Sequence, residues 1–139
     1  MHAHAVTGHE LKAQLQAQHG LTGNDYEALY LLSRAEGRRM KRVDLAERLM
    51  LTPSGVTRLL EGLEEEGLVK REQCETDLRI SYAALTDRGA EKLEQASCGH
   101  EGSVRSVLEQ HLSKAEIEQL AGLLEKLPGG DDGESCPGV

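Results

Sequence analysis

The chain has 139 residues and a formal charge of −8, because 24 Asp and Glu outnumber 16 Lys and Arg. This length suits one domain, and the charge excludes a uniformly basic nucleic-acid coat while still permitting a local basic surface. Aromatic residues make up only 2%, with three Tyr and no Phe or Trp, which nearly excludes a nucleic-acid surface built from stacked rings. Hydrophobic residues reach 38%, enough for an aliphatic core.

Apolar spacing predicts four helices in the first half of the chain, over residues 9–19, 24–34, 43–49 and 53–66. Thr22 or Asn24 caps the second helix. The positions expected to be buried in the third are Val43, Leu45, Ala46 and Leu49. Thr52 caps the fourth and Pro53 takes its first position, where a missing N–H costs nothing. Its apolar stripe is Val56, Leu59, Leu60 and Leu63.

The second half begins with two short strands, over residues 68–73 and 80–85, which a polar loop joins into a hairpin. Thr86 caps a fifth helix. Gly99 and Gly102 each cost roughly 1 kcal/mol relative to Ala in a helix interior, so we expect a bend or break near residues 97–103. Ser113 and Glu116 form a capping box that opens a last helix, which ends at residues 128–130.

Three helices followed by a strand–loop–strand are typical of a winged helix-turn-helix, in which the fourth helix would be the recognition helix. The predicted fold is therefore mainly α with a small β-hairpin wing, flanked by terminal helices. The side of the fourth helix opposite its apolar stripe offers Ser54, Gly55, Thr57 and Arg58. Arg binds guanine in a bidentate manner, and a glycine leaves room for close backbone approach.

Further basic residues are placed to contact DNA outside the recognition helix. Arg79 lies at the tip of the hairpin, from which it would enter a minor groove or reach a phosphate. An ion pair with Asp77 is the structural alternative for this residue. Arg38, Arg39, Lys41 and Arg42 are expected to touch backbone phosphate or to be simply solvated.

The chain resembles the MarR family of bacterial transcriptional regulators. The matching segments are VDLAERL at residues 43–49, SGVTRLLEGLE at 54–64, GLVKR at 67–71, DLR at 77–79 and LTDRG at 85–89. The resemblance implies a two-fold dimer, palindromic DNA sites and repression that a ligand relieves. It also implies that Tyr26 and Tyr30 line a cleft for a small aromatic effector, whereas ordinary core packing is the alternative.

We accordingly expect a single domain over residues 1–139, with a winged-helix core at 22–92, dimerisation helices at 1–21 and 93–128, and a disordered tail at 129–139. A two-fold dimer needs an interface that covers the apolar stripes of the terminal helices. The residues expected in it are Leu11, Leu15, Val104, Leu108, Leu120, Leu123, Leu124 and Leu127.

The distribution of charge is consistent with this organisation. Residues 34–92 contain 12 basic and 12 acidic side chains, so the whole charge of −8 lies in the remainder of the chain. The sequence thus predicts a homodimeric transcriptional regulator, a repressor, that binds double-stranded DNA at a pseudo-palindromic operator. One alternative is a winged helix that binds only proteins, and a more distant one is a small metal- or thiol-dependent enzyme.

Other features predict no cofactor, no metal and a cytoplasmic location without a membrane. No apolar stretch approaches the roughly 20 residues that span a bilayer, and the N-terminus carries no signal-peptide pattern. The six His form no close cluster that would suit structural zinc. Cys74 lies at the wing, where oxidation is conceivable, but Glu72 and Glu75 beside it predict a raised thiol pKa.

Overall fold

The computed structural model describes residues 12–126, apart from the side chain of His100. Six helices occupy this range. They are α1 (residues 12–19), α2 (Gly23–Arg34), α3 (Arg42–Arg48), α4 (Pro53–Glu65), α5 (Asp87–Glu109) and α6 (Lys114–Leu124). The strands are β1 (Arg39–Lys41), β2 (Val69–Gln73) and β3 (Ser81–Leu85), with a short 3-10 turn at Glu36–Arg38. The predicted fold class, mainly α with a β-hairpin wing, is confirmed.

The helix starts follow the capping residues that the sequence contains. Thr22 accepts a hydrogen bond from the Asp25 N–H, and the Asp25 carboxylate accepts one from the Thr22 N–H, so Thr22 and not Asn24 caps α2. Side-chain oxygens satisfy backbone N–H groups that would otherwise lack a partner in the first turn. The caps predicted for the later helices are also confirmed, at Thr52, Thr86 and Ser113.

Leucines from the helices and the sheet form the core. Six of them are almost completely buried: Leu21, Leu29, Leu32, Leu45, Leu60 and Leu68. The prediction that Val43 is buried is wrong, because its side chain is 70% exposed. Leu45, Ala46 and Leu49 define the buried side of α3, and at 100° per residue Val43 projects away from that side.

The sheet has three antiparallel strands in the order β1–β3–β2, whereas the sequence predicted two. Arg39, Met40 and Lys41 of β1 pair with Ala84, Ala83 and Tyr82 of β3. Only Met40 among the three is partly covered, so β1 carries neither the length nor the apolar alternation that identifies a strand. Its strand conformation depends on the free edge that β3 offers.

The expected break in α5 is also wrong, because the helix runs without interruption from Asp87 to Glu109. A glycine weakens a helix without forbidding it, and Leu93, Ala96 and Val107 are buried along α5. Gly99 has a packing role, since a Cβ there would lie 2.8 Å from His19 Nε2 at the end of α1. A larger residue at position 99 would therefore require the His19 imidazole to shift.

The terminal helices are covered unequally. Leu15 of α1 is only 5% exposed and belongs to the core of its own chain, which corrects its placement in a dimer interface. By contrast Leu120, Leu123 and Leu124 of α6 are 36%, 54% and 53% exposed. The last helix was expected to end at residues 128–130, but α6 ends at Leu124 with its C-cap at Glu125, so this prediction is wrong. Leu11, Leu127 and the tail at 129–139 lie outside the described residues. No helix within residues 12–126 has the length and hydropathy of a membrane span.

Candidate nucleic-acid interface

Helix α4 presents one apolar side to the core and the other side to solvent. Val56, Leu60 and Leu63 are buried, while Ser54 and Arg58 are exposed on the remaining surface. Arg58 makes no hydrogen bond or ion pair with any residue between 12 and 126. Its guanidinium, which carries five N–H donors, is thus available to an acceptor outside the chain.

Thr57 is engaged within the protein. Its hydroxyl donates a hydrogen bond to the carbonyl oxygen of Pro53 over 2.8 Å and accepts one from Arg42 Nη2 over 3.2 Å. Arg42 is the first residue of α3, so this contact fixes the start of α3 against the N-terminal half of α4. Two of the predicted DNA-contacting residues therefore touch each other, and Thr57 is half-buried.

The crowded first turn of α4 accounts for the glycine at position 55. Its backbone N–H donates to Thr52 Oγ1 over 3.1 Å, and an added Cβ would lie 3.2 Å from that oxygen and 3.6 Å from Leu51 Cβ. The missing side chain relieves crowding inside this turn, while close approach to DNA stays a prediction. Ser54 Oγ lies 3.2 Å from Thr52 Oγ1, so the cap and its neighbour share a hydrogen bond.

The wing tip is the polar loop between β2 and β3, and Arg79 is exposed there. The backbone N–H of Arg79 donates to Asp77 Oδ1 over 3.0 Å, which shapes the loop. The alternative expected for this side chain, an ion pair with Asp77, does not form in the described part of the chain. The Arg79 guanidinium extends from the tip without a partner among residues 12–126.

Strand β1 contributes two further exposed cations. Arg39 and Lys41 flank Met40 and project from the sheet away from the core, since side chains alternate along a strand. The Arg39 guanidinium lies 5.1 Å from the centre of the Tyr82 ring and 3.4 Å from Glu72 Oε2. The sequence did not predict the parts played by Tyr82 and Glu72, because both depend on the position of β1.

The thiol of Cys74 behaves differently from the prediction. Its sulfur lies 3.1 Å from Thr76 Oγ1, and hydrogen bonds from the Thr76 side chain, the Thr76 backbone and the Asp77 backbone lower the thiol pKa. Hydrogen bonds to the charged form favour it, so the expected rise is wrong. The carboxylate of Glu72, one of the two acids held responsible, is instead engaged by Lys70 and Arg39.

The two tyrosines of α2 pack partly buried against the core. The Tyr26 hydroxyl lies 3.0 Å from Ser97 Oγ and so joins α2 to α5. This is the arrangement that the core-packing alternative describes, and an effector cleft at Tyr26 and Tyr30 stays a prediction. Within residues 12–126, no group of three or more His, Cys, Asp or Glu is placed to hold a metal ion.

Comparisons with known proteins agree with this geometry. A model of the MarR family matches residues 19–80. The transcriptional repressor YetL of Bacillus subtilis is 32% identical over 114 residues, which cover 80% of this chain and 68% of YetL.

Two solved structures from Streptomyces coelicolor share the fold. AbsC, a MarR family transcriptional regulator, has 35% identity and a TM-score of 0.72 over 89% of this chain and 86% of its own. Sco3205, another MarR family regulator, was crystallised in complex with DNA and has 30% identity and a TM-score of 0.76 over 89% of this chain and 78% of its own. With the winged helix and its basic face, these likenesses establish that the chain belongs to the MarR family of transcriptional regulators.

Proposed function

We propose that this protein is a sequence-specific DNA-binding repressor that acts as a homodimer on a pseudo-palindromic operator. The observation that carries the proposal is the exposed side of α4, where Arg58 extends into solvent without a partner among the described residues. The major groove of B-DNA admits an α-helix, and Arg recognises guanine through O6 and N7. A role without catalysis accords with the regulators named among its relatives.

The proposed docking places α4 in the major groove and the wing beside it. Arg79 would then reach the neighbouring minor groove or a phosphate, while Arg39 and Lys41 of β1 lie toward the backbone. Residues 34–92 carry no net charge although the whole chain carries −8. An acidic remainder would keep the other surfaces of the protein away from DNA.

The proposed dimer rests on the uncovered leucines of α6. Leu120, Leu123 and Leu124 give this short helix an apolar side that nothing in residues 12–126 covers fully. A second copy of the chain would bury that side and set two copies of α4 about one DNA turn apart. The DNA complex of Sco3205 and the repressor name of YetL support the proposed binding to DNA and the proposed repression.

A small-molecule effector would relieve repression in the proposed mechanism. Tyr26 and Tyr30 are the candidate contacts, at the place where α2 meets α5. An effector shifts an equilibrium only if it binds two conformations unequally, so it must favour a spacing of the two α4 helices that does not match the operator.

Selection of bound sequences from random duplex DNA tests the proposal. We expect enrichment of an inverted repeat whose half-sites lie about one helical turn apart. Enrichment of single half-sites would contradict the dimer, and no enrichment at all would contradict sequence-specific binding.

A second candidate function is protein binding without DNA. The observation in its favour is an apolar cleft of about 350 Å³ between α3 and the start of α4, lined partly by Val43 and by Met50, which is 92% exposed. Retention on a DNA column at low salt separates the candidates, since a protein-binding module of this net charge should flow through.

A further inference from the structure

The three-stranded sheet has a charged side that faces away from the core. We call it the outer sheet face and define it by Arg39, Lys41, Lys70, Glu72 and Tyr82. The register aligns these residues in two rows across the strands, because Arg39 and Lys70 both lie opposite Ala84, and Lys41 and Glu72 both lie opposite Tyr82. Three cations therefore share the outer side of the sheet with Glu72, while Glu36 and Asp44 line the cleft beside Arg39 and Lys41.

Glu72 holds two of those cations at once. Its Oε1 lies 2.9 Å from Lys70 Nζ, and its Oε2 lies 3.4 Å from Arg39 Nη1. Stacking on Tyr82 keeps the Arg39 guanidinium over the sheet. Hydrogen bonds from Lys70, which has the larger effect, and from Arg39 lower the pKa of Glu72, so its carboxylate is ionised at neutral pH.

The outer sheet face is connected to both elements that we expect to contact DNA. Lys41 immediately precedes Arg42, whose guanidinium contacts Thr57 of α4. The row that contains Lys41, Tyr82 and Glu72 is also the row nearer to the wing tip, since β2 ends at Gln73 and β3 begins at Ser81. A duplex that contacts both α4 and the wing tip would bring its phosphates toward this surface.

We propose that Glu72 is an intramolecular counter-anion, which occupies Arg39 and Lys70 until a DNA phosphate displaces it. The inference rests on the DNA-binding function proposed above and adds the regulation of its strength. Binding that is independent of sequence comes from cations that neutralise phosphates. A carboxylate that competes for two of them lowers affinity for any duplex, whereas the base contacts of α4 are unaffected.

The first test is Glu72→Gln, which keeps the side-chain shape and removes the charge. Because exposed ion pairs are weak and easily exchanged, we expect the affinity for random-sequence duplex to rise about 2- to 20-fold. The plot of log affinity against log salt should steepen by about 0.9 for each additional phosphate contact. Affinity for a selected operator should rise by no larger factor. An unchanged affinity and salt slope would overturn the proposal.

A double-mutant comparison separates cation release from a general change of charge. In a chain that carries Arg39→Ala and Lys70→Ala, Glu72→Gln should no longer raise the affinity, because no held cation is left to release. A gain of the same size in that background would overturn the proposal. Glu118→Gln on α6 is the matched control, since it changes the net charge equally on an exposed helix far along the chain and should leave the salt slope unchanged.

Heparin chromatography keeps this inference distinguishable from the proposed function. Heparin is a polyanion without bases, so Glu72→Gln should elute at higher salt than the native chain even if no operator is found. Failure of the DNA selection together with later elution from heparin would overturn operator binding and support the role of Glu72. Operator binding with identical elution of both proteins would overturn only the role of Glu72.

Discussion

The winged-helix core, residues 22–92, and helix α6 carry the same amphipathic pattern but differ in how it is used. In the core, Leu29, Leu45 and Leu60 are completely buried against elements of the same chain. In α6 the corresponding apolar side, with Leu123 and Leu124, is about half exposed. Periodicity thus identifies the side of a helix that favours burial, while the fold decides whether the chain itself covers that side.

Charge divides the molecule along a similar line. Residues 34–92 are neutral as a set, and the excess of acids lies outside them. Within the neutral set, five of the twelve cations lie on β1, β2 and the wing tip, and Glu72 pairs with two of them, Arg39 and Lys70. A surface that contacts DNA must attract the duplex without binding every sequence tightly. The sheet and the wing tip of the core accordingly carry both cations and an acid.

The largest effect is expected at Gly89, in the first turn of α5 where the core joins the terminal helices. An added Cβ would overlap the carbonyl oxygen of Leu68 and lie 2.7 Å from Leu85 Cδ1. Gly89→Ala should therefore lower the free energy of unfolding by about 3 kcal/mol, as overpacking against backbone does. Gly102→Ala is the control, because its Cβ meets open space and should stabilise α5 by up to about 1 kcal/mol. Urea unfolding at one fixed protein concentration measures both, and equal effects would contradict the packing argument.

Charges on α6 test whether a second copy covers it. Replacing Leu123 and Leu124 together by Asp should convert a dimer into monomers, because the buried carboxylates would lose their hydration. Affinity for the operator should fall about 100-fold, since two linked binding modules become two separate ones. Sedimentation equilibrium reports the association state. Gln119→Glu adds charge to an exposed position of the same helix and should preserve the dimer; a native chain that is already monomeric would disprove the proposed interface.

Arg58→Ala examines base recognition by the core. The loss of a bidentate contact to guanine should cost about 1–3 kcal/mol on the operator and relax the preference at one base pair of each half-site. Binding measured over a series of single-base variants gives both quantities. Arg48→Ala, which removes an exposed Arg from α3, should leave the preference intact. If every single-base variant of the operator binds the Arg58→Ala protein with the same affinity as it binds the native chain, Arg58 does not contact a base.

A smaller effect is expected at the wing tip. Arg79→Ala should weaken operator and random duplex to a similar extent and flatten the salt slope by about 0.9, which corresponds to one phosphate contact. Titrations at several salt concentrations measure the slope. Leu78→Ala is the control, because it shortens the neighbouring exposed side chain without a change of charge and should leave the salt slope unaltered. An Arg79 variant with the native slope would exclude the wing tip from the interface.

The smallest expected change concerns the thiol of Cys74. The Thr76 hydroxyl is the first cause of its lowered pKa, so Thr76→Val should raise that pKa and move the pH profile of alkylation to higher pH. A chain with Cys98 and Cys136 replaced by Ser isolates the signal. Thr76→Ser restores a hydroxyl and should return the profile toward that of the native residue. Identical profiles for Val and Thr would show that the hydroxyl does not stabilise the thiolate.

Much of the fold could be predicted from local features of the sequence. Thr52 and Pro53 mark the start of α4 because capping and the fixed backbone angle of proline act within one helical turn. The hairpin strands are confirmed to within one residue, over Val69–Gln73 and Ser81–Leu85. Strand β1 could not be predicted, since its three residues become a strand only by pairing with β3.

The candidate site likewise contains residues that the sequence identified and residues whose environment it did not predict. Arg58 and Arg79 were identified from their positions on a helix and a loop, and both are exposed. Thr57 was expected on the open side of α4, yet it is half-buried because Arg42, distant by 15 residues, donates to its hydroxyl. Proximity in sequence also misled the interpretation of Cys74, because the hydrogen bonds that its thiol accepts lower its pKa and outweigh the opposing effect of the Asp77 charge.

The sequence alone was sufficient for features that arise within a turn or a strand: the capped helix starts, the apolar stripe of α4, the hairpin and the segregation of charge. Packing between distant segments determined the rest, namely the third strand, the uninterrupted α5, the exposure of Val43 and the placement of Glu72 between two cations. The physical reason is the distance along the chain over which each interaction acts. Capping and periodicity are properties of neighbouring residues, whereas strand pairing, close helix approach and ion pairs across a sheet require residues that only folding brings together.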